Sequence, residues 1–462
     1  MNPIRMKHFF LFVAVFCFPC KIISQTSYDK GLLVADLDTL YNTINQVHPN
    51  MFAIVSQEEF EKELNHIKES LNDSLNTFEF FAVVAPLIAG LGDGHTTVEP
   101  PWNAYYNVNP SVFPYEIEIE NNQITIVQDH SQNEGAIPIG SEIIRINGKV
   151  VKDILETIIS FTSGESPAFR MEKVRSRFPL YFYIIDSSNS FAIEYKHQNV
   201  LGEKEIVGIP AGDLNRLITA NSDNTEKDMY YALTVDEDNN TAIFDFREFN
   251  LDNGKIGTFL DEAFAELKEK KIGNLIIDIR NNGGGNSRVG DLVFQYISPA
   301  PYSQAGNTTM KISTPLKVFI TEMKDQGYIN EDAFNNFMAV PNGIYPRNNT
   351  KLIPLEENPL RYNGNIFLLT SSKTFSSAVL FAWAFQYFKM GTIIGEETGG
   401  YIVHFGDVSH YLLPQSKLTH GVSWKEFYPY GSTEENRHSV IPDIATPADN
   451  ALSKALEIIA EN

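Results

Sequence analysis

A chain of 462 residues, 43% apolar and 20% charged, has the composition of a globular protein and the length for roughly two to four domains. Its formal charge of −22 excludes a basic nucleic-acid-binding surface as the organising feature.

The N-terminus carries Arg5, Lys7 and His8, then the apolar run FFLFVAVFCF, then Pro19. That run is too short to span a bilayer, and the layout is that of a secretory signal peptide with the small residue Ser24 before the cut. Residues 1–24 are therefore expected to be a leader, and the protein to be exported to a periplasmic or extracellular space. The two cysteines, Cys17 and Cys20, both lie in this leader, so no disulfide, thiolate metal site or cysteine nucleophile is expected after its removal. Lipidation at Cys20 would tie the protein to a membrane, but Phe18-Pro19 before it is a poor lipoprotein signal.

Residues 25–100 predict a helical N-terminal domain. Leu33, Leu37, Leu40 and Ile44 share one helix face, Phe60, Leu64, Ile67 and Leu71 another, and the run FEFFAVVAPLIAGL follows Thr77. The domain ends at LGDGHTTV, where Asp93-Gly94 marks a turn and His95 precedes a β-like run. Histidine is the commonest acid–base side chain, yet a lone one after a turn is usually a surface or structural residue. Residues 110–208 predict a β-rich domain: PYEIEIE and QITIVQ alternate, and Asn147-Gly148 is a hairpin turn. Residues 209–240 are polar and read as a linker. From 241 to 462 the pattern is α/β. A strand (TAIFDFREF), an amphipathic helix and the apolar strand GNLIIDIR lead to the loop NNGGGN and a second helix. This is a βαβ unit of a sheet buried on both faces. Residues 300–362 predict an excursion with one helical patch, after which the sheet resumes at Asn365 and Thr392. The fold class is multi-domain α/β, or α+β taken as a whole.

The stretch NIFLLTSSKTFSSAVLFAWAF organises this last domain. Asn365–Thr370 is a strand, Ser371–Phe375 a small polar loop, and Ser376 opens a helix apolar on almost every side, hence buried. A serine there is either an N-cap or a nucleophile. The unpaired N–H groups and partial positive charge of a helix start favour an oxyanion as well as a cap. Gly283–Gly285, just after a strand, permit φ > 0 and close approach of backbone N–H groups to a bound atom, although a tight turn has the same composition. Neither nucleotide-loop spacing is present around them. His404, His410, His420 and His438 lack metal-ligand spacing, and no metal or organic cofactor is expected. Asp278 and Arg280 read as a structural pair.

Taken together, LGDGHTTV, IPIGSEIIRINGKVV, NLIIDIRNNGGGN, IFLLTSSKTFSSAVLFAWA, GTIIGEETGG and VIPDI resemble the C-terminal (tail-specific) processing serine peptidases and their relatives, the tricorn core protease and the interphotoreceptor retinoid-binding repeats. The motifs occur in the family's order across residues 80–450. The resemblance implies a ClpP/crotonase-like α/β core, a PDZ-like domain in 110–208 and a helical N-terminal segment. It implies Ser376 as nucleophile, with an oxyanion hole from the N–H groups of Ser377 and a loop glycine, Gly284. Where the Ser–Lys branch has its lysine this chain has Tyr401, and His95 matches the histidine of the tricorn-like branch. Glu435 is the nearest match to that branch's orienting glutamate, or Glu434 if the register slips by one. Chemically, a serine hydroxyl needs a base, an imidazole can supply it, and a carboxylate can hold the imidazole. The implied activity is cleavage of peptide bonds in exported proteins or peptides, with no nucleic-acid partner. One departure is Val379, where the family carries an acid three residues after the nucleophile. Some relatives keep the fold and only bind ligands, so a catalytically inactive member binding a hydrophobic ligand or peptide is the alternative; an esterase or amidase is a third reading.

Overall fold

A computed structural model describes residues 26–221, 230–251, 254–349 and 351–461. The leader, Cys17 and Cys20 lie outside these residues. Among the described residues no helix is long and apolar enough to cross a membrane.

The parallel sheet forms as its apolar runs require. Strand order is Tyr231–Asp236, Thr241–Phe246, Asn274–Asp278, Asn365–Thr370, Thr392–Gly395, Ile444–Ala445; the first pairs antiparallel and the rest parallel. Side chains alternate across it. Leu275 and Ile277 pack under the helices Lys255–Glu269, Arg288–Ile297 and Ser377–Tyr387, while Ile276, Phe367 and Leu369 face the C-terminal helix Ala448–Glu461. Burial on both faces is why these strands lack polar alternation.

A second core joins the N-terminal helices to the β-rich domain. Helices Gln57–Ser70 and Thr77–Ala89 each begin in a capping box, Ser56 with Glu59 and Asn76 with Glu79. The β-rich sheet is antiparallel, with Val200–Val207 and Tyr115–Glu120 as its edges, and the helix Pro167–Ile185 covers it.

A third sheet connects the two cores. Gly343–Asn348, Ala305–Ile312, Thr419–Pro429 and His404–Leu412 run antiparallel, and Thr97–Val98 adds to Thr419–Pro429 through Val98–His420 and Thr97–Gly421. This short pairing carries the segment after His95 onto the core.

Two stretches differ from expectation. Residues 209–240 are not a plain linker: they contain the helix Ala211–Asn221 and the edge strand Tyr231–Asp236, with 222–229 outside the described residues. An edge strand with only Tyr231 buried needs few apolar residues, so its composition hides it. The excursion 300–362 likewise contains two strands of the third sheet and the helices Thr314–Asp325 and Glu331–Met338.

Candidate active site

The helix Ser377–Tyr387 is buried because Ala378, Val379, Phe381, Ala382, Ala384 and Phe385 leave it no polar face. Val379, at the position where an acid was expected by resemblance, is fully buried in this core. Ser376 occupies the N-cap position, yet its side chain makes no capping bond. Its backbone sits at φ 54°, ψ −124°, unusual for a residue with a side chain. That geometry turns Oγ outward, to 3.0 Å from Nε2 of His95.

The glycine loop clamps the serine from both sides. Phe375 N–H donates to Asn282 O at 3.1 Å, and Ser377 Oγ donates to Gly285 O at 2.6 Å. At Gly284 φ is +101°, and a Cβ would lie 2.8 Å from Ser376 Cβ and 2.9 Å from Ser377 N, so only glycine fits. The N–H of Gly284 donates to Asn282 Oδ1 at 2.9 Å, which makes this residue a wall of the site rather than a free donor. The N–H groups of Ser377 and Gly283 have no acceptor among the described residues, and open space lies where a Gly283 side chain would be. An oxyanion hole is therefore available from Ser377 and Gly283.

His95 is placed by the turn before it. Its N–H donates to Asp93 Oδ1 at 2.9 Å, while Asp93 Oδ2 accepts from Ser423 Oγ at 2.6 Å and faces His48 Nε2 at 3.3 Å. His48 Nδ1 accepts from Asn50 N–H, so its Nε2 carries the proton given to Asp93. Burial pushes the Asp93 carboxyl up, but donors from His48 and His95 and their charges hold it well below the usual carboxylate range. By sequence Asp93 reads as a turn residue; only its burial reveals an anion under the histidine. The ring of His95 stacks on Phe375 (centroids 4.6 Å apart), which stacks on Phe169 (4.1 Å). His404, 6.0 Å from His95 ring to ring, donates its Nδ1–H to the carbonyls of Tyr401 and Ile402. Burial and the neighbouring His95 lower its pKa to about 4, so it stays neutral when His95 becomes charged.

The structure does not bring Glu435 to the site. It lies exposed on the turn Glu434–Asn436; Glu434 pairs with Arg437 at 2.9 Å and accepts from Tyr428 Oη at 2.6 Å. Neither is a hydrogen-bond partner of His95 among the described residues. Arg437 also pairs with Glu426, and this ion-pair cluster holds the turn in place. Tyr401 bridges to Ser439. Asp278 and Arg280 form the expected pair at 2.6 Å, and Arg280 Nη1 also donates to Ala448 O.

Three residues near the pair have metal-ligand character: Asp93, His95 and Glu165, each offering one atom within 4.8 Å of the others. Asp93 already accepts three hydrogen bonds and His95 Nε2 faces Ser376, so a cation there would compete with the serine–histidine contact.

Residues 240–446 match the model of Peptidase family S41. This stretch is similar to that family, and the match supports a serine-type peptidase. The matched stretch holds the parallel strands, the glycine loop and Ser376, while the edge strand Tyr231–Asp236 and His95 lie outside it. Solved structures agree in fold. A CPAF mutant superposes with a TM-score of 0.64, covering 93% of this chain and 96% of that one at 13% identity. Mature CPAF gives 0.60, with 93% and 96% covered, also at 13% identity. CPAF complexed with lactacystin gives 0.60, with 94% and 97% covered.

Proposed function

We propose that this protein is an exported serine endopeptidase using a Ser–His pair. Ser376 is the nucleophile, His95 the general base and later acid, and the N–H groups of Ser377 and the glycine loop stabilise the tetrahedral oxyanion. The observation that carries this reading is the 3.0 Å contact between Ser376 Oγ and His95 Nε2 at a helix start with a free N–H. A lysine base has no support in the geometry. Tyr401 stands where a Ser–Lys enzyme has its lysine, and the half-buried Lys173 donates to the carbonyls of Ser163 and Gly94.

In the reaction, Oγ attacks the scissile carbonyl as its proton passes to Nε2, and the imidazolium returns that proton to the leaving amine. Water then repeats the sequence on the acyl-enzyme. The substrates are proteins or peptides. A groove of about 670 Å³ lies between the edge strand Tyr115–Glu120 and the loop Ser371–Lys373. An extended peptide adding to that edge would pass the loop that leads into Ser376. The leader reading of residues 1–24 supports export.

The test uses residues 25–462 and the variants S376A and H95A, incubated with unfolded proteins and free peptides, with products read by mass spectrometry. Cleavage by the parent, with each variant slower by about 10³-fold or more, is expected. A parent that cuts nothing, or an S376A variant that cuts as fast, would leave a binding protein as the reading.

A further inference from the structure

His95 Nδ1 and both carboxylate oxygens of Glu165 are buried and have no hydrogen-bond partner among the described residues. Native structures rarely leave such groups unpaired, so each one calls for an explanation, a catalytic role among them. The two groups are neighbours: a ring nitrogen of His95 and a Glu165 oxygen lie within 4.8 Å, with an Asp93 oxygen in the same group. Asp93 is not the missing partner. Its Oδ1 lies 3.8 Å from His95 Nδ1 and is already taken by the His95 backbone N–H. Its Oδ2 is engaged by Ser423 and His48.

Glu165 is fixed relative to the nucleophile. It lies in the connection between the helices Val151–Ile159 and Pro167–Ile185. Next to it, Ser166 Oγ donates to Gly399 O at 2.7 Å and accepts from Phe169 N–H at 3.1 Å. Phe169 stacks on Phe375, the residue before Ser376. The carboxylate lies against Gly94, where a Cβ would meet Oε2 at 2.5 Å. The glycine before His95 is thus what admits Glu165.

We propose that Glu165 is the positioning carboxylate of the pair: it accepts the Nδ1–H of His95, fixing Nε2 as the nitrogen that faces Ser376. This rests on the peptidase reading above. As the Ser376 proton moves to Nε2, the Nδ1 proton stays on the ring and Glu165 remains an anion beside the new imidazolium. The gap closes by a side-chain torsion or one water, since catalytic hydrogen bonds are commonly long before substrate binds. The charged and titratable groups facing Glu165 are His95, Asp93, Lys173 and Tyr401. Burial raises its carboxyl to about 7, against the pull of His95. A buried carboxylate beside a neutral imidazole gains most when that imidazole becomes charged, and stabilisation confined to that moment accelerates the reaction.

The test compares the parent with E165Q, E165D and S376A in kcat, KM, pH profile and thermal melting. E165Q is expected to fold, to keep KM within about twofold, to lose kcat on the order of 10²–10⁴-fold and to move the acid limb of the pH profile. E165Q with kcat within about threefold of the parent and an unmoved profile, while S376A is inactive, overturns this inference alone. S376A cleaving at the parental rate overturns the peptidase reading and this inference with it. Should E165Q not fold, E165D decides: kcat down about tenfold or more at parental KM supports the role, and parental values for both overturn it.

Discussion

Ser376 sits at φ 54°, ψ −124° without making the capping bond its position offers. A side chain held there costs on the order of 1–3 kcal/mol, and the surrounding clamp must supply it. Glycine adopts this conformation freely but loses more entropy on folding, by about 0.5–1 kcal/mol. The variant S376G is therefore expected to be inactive and more stable than the parent by about 1 kcal/mol, measured by urea unfolding. A less stable S376G would mean that the backbone is not strained. The cap reading and the nucleophile reading could not be separated from residue types, because serine is favoured in both roles. What separates them is where Oγ points, and that depends on a histidine 281 residues away.

At the scale of elements, the site depends on how the glycine loop is held. Asn282 is fully buried; its Nδ2 donates to Phe246 O at 2.8 Å and its Oδ1 accepts from Gly284 N–H. It thus ties the loop to the neighbouring strand and sets the wall against which Ser376 and Ser377 pack. N282A removes both bonds and leaves two buried backbone groups unpaired. The expected cost is about 2–4 kcal/mol, with a fall in kcat as the loop loosens, checked by chemical denaturation and steady-state kinetics. An N282A enzyme with parental stability would show that water replaces both bonds. The loop and its flanking strands were legible from periodicity and glycine content. Which glycine N–H is left free was not, since that depends on Asn282 folding back onto Gly284. Glu435 was selected by its distance from a motif, and spacing along a chain does not say which way a turn faces.

The whole molecule assembles the pair from two bodies. Ser376 belongs to the parallel-sheet core, and His95 follows the N-terminal helices, joined to the core by the pairing of Thr97–Val98 with Thr419–Pro429. The link is reinforced at Asp36. Fully buried in the helix Lys30–Val47, its carboxylate accepts Gln415 N–H at 3.0 Å, Ser416 N–H at 2.7 Å and Ser416 Oγ at 2.6 Å. These bonds seat the turn that leads into Thr419–Pro429. D36A is expected to destabilise by about 3 kcal/mol and to lower kcat, although no atom of Asp36 touches the Ser376–His95 pair. Parental kcat in a folded D36A would show that this tie does not set the position of His95.

From the sequence by itself came the strands and helices of the core, the nucleophile stretch, the glycine loop and, through motif order, the peptidase reading. Those features are encoded locally: side-chain periodicity, glycine conformational freedom and helix-start chemistry act within a few residues. The tertiary structure alone decided that His95 faces Ser376, that Asp93 is a buried anion, that Gly284 is a wall, and that Glu165 rather than Glu435 lies near the histidine. The physical reason is that each depends on sheet pairing and burial between distant segments. A carboxylate's role follows from what it is buried against, and neighbours in the chain do not record that.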